Sequence, residues 1–146
     1  MNRRKRLTLI AAVWLALAGT GVAADGEFRA SKPEVRKEVL AVVEGQLAAF
    51  RAGEVRKAYG LAALALRTQT SLRAFESMVR NNYAEIWNSL RVEHGLVRDD
   101  GSHATVLVHV FAKEADAAFD YVLIKERAGW RIGSVSRHEP RLKDNL

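Results

Sequence analysis

The chain has 146 residues, 49% of them apolar, which is material for one domain around one hydrophobic core and leaves none for a second. It contains no cysteine, so a disulfide framework, a lipid-modified cysteine and a thiolate metal site are excluded. The formal charge of +6 is concentrated at the start: four of the 23 Lys+Arg and none of the 17 Asp+Glu fall in the first 24 residues, so 19 face 17 thereafter. With the remaining charges interspersed, no nucleic-acid partner is expected.

Arg3, Arg4, Lys5 and Arg6 precede an uncharged apolar run from Leu7 to Ala18 (LTLIAAVWLALA). Gly19 to Ala24 (GTGVAA) then offers Gly21/Ala23 or Val22/Ala24 as the small pair before cleavage. This grammar predicts a signal peptide over residues 1–24 and a periplasmic or secreted mature chain, with no stable membrane insertion after its removal. The alternative is an uncleaved anchor, since Leu7 to Ala24 is about as long as the shortest spanning helix. A twin-arginine signal is disfavoured because Arg6 stands where that pattern wants an apolar residue, so export is of the ordinary Sec type.

Residues 25–32 (DGEFRASK) are polar and read as a flexible lead, with Ser31 as a helix cap. Pro33 and Glu34 suit a first helical turn. Val35, Val39, Val42, Val43, Leu47 and Phe50 then trace one apolar stripe, interrupted by Gln46 and stopped by Gly53. Arg36, Lys37, Glu44 and Arg51 fall on the solvated side. A second, shorter helix is predicted from Glu54 to about Ala65, weakened by Gly60. Thr68 to Thr70 break the pattern, and Ser71 opens a third helix in which Leu72, Phe75, Met78, Val79, Tyr83, Ile86 and Trp87 recur every three or four residues.

After Asn88 the period becomes alternating, which predicts four strands. The first runs from about Leu90 to Arg98, with Leu90, Val92, His94 and Leu96 on one face and Arg91 and Glu93 on the other. Asp99-Asp100-Gly101-Ser102 makes a turn. The second spans His103 to Lys113, with Ala104, Val106, Val108 and Val110 forming an apolar face. The third spans Ala118 to Arg127, and Ala128-Gly129 leads into a last strand, Trp130 to Ser136. Residues 137–146 are a polar tail. The expected class is α+β: N-terminal helices packed on a curved four-stranded antiparallel sheet, one domain over residues 33–136.

The order of elements and several local motifs carry a resemblance. The motifs are Gln46-Leu47-Ala48-Ala49-Phe50-Arg51-Ala52-Gly53-Glu54 with Ala58-Tyr59, Phe75 with Met78-Val79-Arg80 and Tyr83, and Trp130-Arg131-Ile132. On these, from about Val35 to Val135, the chain resembles the domain of unknown function 4864 family of exported bacterial proteins, related to the nuclear transport factor 2-like superfamily. It departs from the family pattern at Ala62 to Thr70 (AALALRTQT), which has no Ser-Pro break with a following aromatic, and after Gly133, where a cysteine is often found. The resemblance implies a cone with a cavity at its open end. It implies no reaction, because the superfamily holds isomerases, dehydratases, cyclases, carrier or scaffold domains and dimerising modules.

Enzymes on that cone set an Asp or His beside a Tyr or second polar group in the cavity. The pocket candidates are therefore His94, Tyr59, Met78, Tyr83, Trp87, Asp120 and Tyr121. Four of them have a plainer reading: His94 as a core or rim histidine bonded to backbone, and Tyr59, Tyr83 and Trp87 as core aromatics at helical spacing. Only one of Asp120 and Tyr121 faces the cavity, and the phase of their strand is open. No cofactor and no metal are implied: the four histidines are scattered, and there is no Gly-rich phosphate loop or Ser-His-Asp set.

The leading expectation is an exported module that binds a small apolar ligand in the cone or pairs as a homodimer through the outer sheet face. On that face Leu107, His109 and Phe111 with Phe119, Tyr121 and Leu123 would form an apolar patch. The competing expectation is an isomerase or dehydratase with His94 as base and Tyr83 or Asp120 as its partner. It requires another cavity-facing polar group within about 6 Å of His94, the reach of one bridging water.

Overall fold

The computed structural model describes residues 26–139; the segment expected as a signal peptide, residues 1–24, together with residue 25 and residues 140–146 of the tail, lies outside the described residues. The switch of period at Asn88 marks the passage from helix to sheet. Five helices, α1 (Pro33–Arg51), α2 (Val55–Gly60), α3 (Leu64–Gln69), α4 (Leu72–Asn82) and α5 (Ala84–Trp87), follow a short strand β1 (Arg29–Ala30). They precede β2 (Ser89–His94), β3 (Arg98–Asp99), β4 (His103–Ala112), β5 (Asp116–Glu126) and β6 (Gly129–Arg137). The class is α+β, with helices followed by an antiparallel sheet of six strands where four were expected. Among the described residues no helix is long and apolar enough to cross a membrane.

The apolar stripe of α1 is its buried face: Val39, Val43, Leu47 and Phe50 enter the core, each burial stabilising by about 1.5–3 kcal/mol. Gln46, the polar interruption, is buried too, and its Nε2 donates to the Ala58 carbonyl at 3.0 Å, tying α1 to α2. The helix ends in a Schellman motif. Gly53 takes φ +72°, its N–H reaches the Phe50 carbonyl, and the Glu54 N–H reaches that of Ala49.

Three sequence expectations are corrected here. The helix expected from Glu54 to about Ala65 is broken at residues 61–63, because that stretch serves the sheet. Ile132 N–H donates to the Leu61 carbonyl, Ala63 N–H donates to the Ile132 carbonyl, and Ala62 bridges Ile132 in parallel. The edge of β6 is thereby met at Ile132, and tertiary pairing outweighs the helix propensity of Leu61, Ala62 and Ala63. Ser31 does not cap α1, whose N-cap is Lys32; its hydroxyl binds the Asp99 carboxylate instead. With Ser31 N–H on the Val97 carbonyl, this holds Arg29–Ala30 against Arg98–Asp99, so the lead carries a strand.

The third correction concerns the strand expected from Leu90 to Arg98. β2 and β3 both pair with β4, at Val108–Ala112 and Ala104–Thr105, and residues 95–97 interrupt them. A bulge between Ser89 and Arg91 adds a second irregularity. Val92 and His94 keep their common inward face, but Leu90 and Leu96 are displaced from it and stand 67% and 62% exposed.

β4 and β5 form the longest ladder, and its register fixes the phase that the sequence leaves open. Ala104, Val106 and Val108 pair with Leu123, Tyr121 and Phe119, all buried toward the helices. Asp120, Val122 and Ile124 point to the opposite face. Ile132 and Val135 of β6 extend the inner layer past a bulge between Val122 and Leu123. Gly133 sits beside that bulge, where a Cβ would lie 2.8 Å from Ile124 Cδ1. Ser71 caps α4 as expected, accepting from Ala74 N–H.

Candidate functional site

Five of the seven sequence candidates belong to the packed interface between helices and sheet. Tyr121 on β5 is fully buried, and its hydroxyl has no hydrogen-bond partner. Burial, with the Tyr83 hydroxyl as a second influence, pushes its ionisation far above the ordinary phenol range. Tyr83, at the α4–α5 break, donates to the Val135 carbonyl at 3.0 Å and leans on the Phe119 ring. Tyr59 places its hydroxyl between the carbonyls of Arg67 and Thr70, at 2.7 and 2.6 Å, and its ring edge on Phe75. Trp87 lies between the Phe50 ring and the Arg80 guanidinium, and Met78 packs half-buried against the same core.

His94 and Asp120 are elsewhere, on different strands and opposite faces of the sheet. His94 is at the seam between β2 and α1, its side chain 14% exposed, with Nε2 2.8 Å from Glu44 Oε1. A carboxylate only accepts, so Nε2 carries the proton. Nδ1 faces the interior without a hydrogen-bond partner. Further along the seam Arg51 donates to the buried Ser89 hydroxyl at 3.0 Å. The sequence places Glu44 and Arg51 on the solvated side of α1; they are the residues that fasten β2, and only the fold brings them there. Asp120, on the outer face, accepts or shares a proton with His138 Nδ1 at 2.9 Å.

The outer face is built from alternate residues of four strands: Arg91 and Glu93 of β2; Thr105, Leu107, His109 and Phe111 of β4; Asp120, Val122 and Ile124 of β5; Ser134 and Ser136 of β6. The apolar patch expected there included Phe119, Tyr121 and Leu123, and this is corrected, because the β5 register turns those three inward. What remains outside is a smaller apolar group, Leu107, Val122 and Ile124, all half-buried; Phe111 lies farther along β4, beyond exposed His109, under the Arg91 guanidinium at 4.0 Å. Arg91 also pairs with Glu93 at 2.6 Å. Among the described residues, no group of three or more His, Asp and Glu has the arrangement to hold a metal ion.

A family model described as Domain of unknown function (DUF4864) matches residues 32–144. The chain belongs to that family. No curated protein matches it. The match takes in all of the helices and β2 to β6 of this DUF4864 domain, and with them both the His94–Glu44 seam and the outer sheet face.

Proposed function

We propose that this DUF4864 domain is an exported protein-interaction module of the nuclear transport factor 2-like kind, whose outer sheet face docks a second copy. The basic n-region, apolar run and small-residue pair at the N-terminus support export. The docking surface rests on one observation: Leu107 and, diagonally across from it on β5, Val122 and Ile124 are half-buried on the face opposite the helices. Pairing two such groups removes apolar surface from water at roughly 25 cal/mol per Å². The interior favours this over a small apolar ligand, because Tyr59, Tyr83 and Trp87 are engaged in bonds and ring contacts within the chain.

Sedimentation of the mature chain across a concentration series tests the reading. The expected result is a reversible dimer that Val122→Lys shifts toward monomer while leaving the far-ultraviolet spectrum unchanged. A wild-type chain that stays monomeric at its highest soluble concentration would overturn it.

One observation favours a second reading, an isomerase or dehydratase. His94 has a carboxylate within direct hydrogen-bond reach, and Glu44 is more than half exposed. In that reading Glu44 is the base and His94 orients it, since the remaining histidine nitrogen is sealed from substrate. Solvent deuterium incorporated into simple ketones, and abolished by Glu44→Gln, would support it; equal incorporation by both proteins removes it.

A further inference from the structure

β2 is an edge of the sheet. It pairs with β4 on one side, and among the described residues no strand pairs with its other side. At the opposite edge, the α2–α3 link meets β6 at Ile132. Gly95 donates its N–H to the Leu107 carbonyl in the register that continues β2, so antiparallel alternation turns the backbone of Arg91 and Glu93 toward β4. The N–H and C=O groups of Val92 and His94 then point to the open edge. Exposed Leu90 and Leu96 flank this row, two of the four large apolar side chains most open to solvent among the described residues.

Charged residues on an edge usually discourage pairing with another strand. Here the charges read oppositely from the two ends: Arg91, Val92, Glu93, with both charged side chains on the outer face. We propose that β2 pairs antiparallel with β2 of a second copy about a two-fold axis through Val92, continuing the sheet across the dimer. Val92 then exchanges both backbone hydrogen bonds with its counterpart. Each Arg91 stands opposite the other copy's Glu93, with Cβ atoms about 4.5–5.5 Å apart.

The position of the axis is selective. Centred on Leu90 or His94, the pairing sets neither charge opposite its complement. Centred on Arg91 or Glu93 it sets like charges together, and those residues already turn their backbone toward β4. Within one chain Arg91 and Glu93 pair with each other; an uncharged foreign strand adds no complement to either, whereas a second copy sets a complementary charge opposite each. A second copy is therefore the occupant that β2 fits. This contact uses the edge of the sheet and is independent of docking on its outer face.

Charge exchange between two chains tests it. Arg91→Glu and Glu93→Arg each place like charges on all four cross-strand positions, and each is expected to weaken edge association about tenfold or more in sedimentation. Mixed one to one, the two variants become complementary, and association is expected to return as a heterodimer. Because Arg91 and Glu93 also lie on the outer face, each charge variant is made in the Val122→Lys background, where face docking is removed, so that a change in association reports the edge. Unchanged association in the single variants, or a mixture no more associated than its components, overturns the proposal. So does a wild-type edge that takes only an extended segment of another protein. Far-ultraviolet spectra establish that the variants remain folded.

Discussion

Tyr121 stands in an environment far from that of ordinary solution chemistry. A buried hydroxyl without a partner gives up its bonds to water and gains none, at a cost of roughly 1–3 kcal/mol. Tyr121→Phe is therefore expected to be neutral or to stabilise the fold by up to about 1 kcal/mol in urea unfolding. The same burial raises the ionisation of the phenol above its unfolded value of 10.0. Below that value the folded and unfolded chains bind the same proton. Above it the unfolded chain releases the proton and the folded chain keeps it, so stability is full below pH 10 and falls as pH rises further. The slope is about 1.4 kcal/mol per pH unit for this one group. Unfolding series carried from pH 8 past pH 10 are expected to show that loss above pH 10 in the wild type and less of it in Tyr121→Phe.

At the scale of elements, the sequence was most legible where one face alone decides the structure. The α1 stripe, the Gly53 stop, the Ser71 cap and the valine face of β4 all stand in the fold, since each follows from periodicity or a local cap. Gly53→Ala tests the stop: its φ of +72° strains any residue with a Cβ although nothing crowds the position, so a loss of about 1–2 kcal/mol in thermal unfolding is expected. Illegible features were those fixed by distant partners. Ala62 leaves its helix for Ile132, and Arg29–Ala30 become a strand through Ser31 and Asp99. The bulge at Leu90 and the interruption at Gly95 remove two of four residues from the face that alternation assigned to them. β5 could not be phased because both of its faces carry apolar residues; its register with β4 decided between Asp120 and Tyr121. The Glu44 contact with His94 spans 50 residues and left no local signal.

Across the whole molecule, the question is what keeps the helices on the sheet at the end where β6 finishes. Arg137, the last residue of β6, reaches Glu85 of α5 with both terminal nitrogens, at 2.8 and 3.2 Å, and the Asn82 carbonyl of α4 at 3.1 Å. Its guanidinium also covers the buried Phe119 ring at 5.1 Å. One side chain thus joins two helices to the last strand and closes the core beneath it. The Arg137 hydrogen bonds hold the Glu85 carboxyl below its ordinary value of 4.5, against the opposing effect of burial. A depressed carboxylate contributes stability above its unfolded pKa and loses it as pH falls through the folded one. The clamp is therefore complete at neutral pH and weakens below about pH 4.5. Arg137→Ala is expected to cost on the order of 1 kcal/mol at pH 7, a modest figure because the arginine is half exposed. The gap between variant and wild type should narrow as the pH is lowered toward 3. A gap that stays constant across that range would assign the clamp to the ring contact with Phe119 rather than to the ion pair.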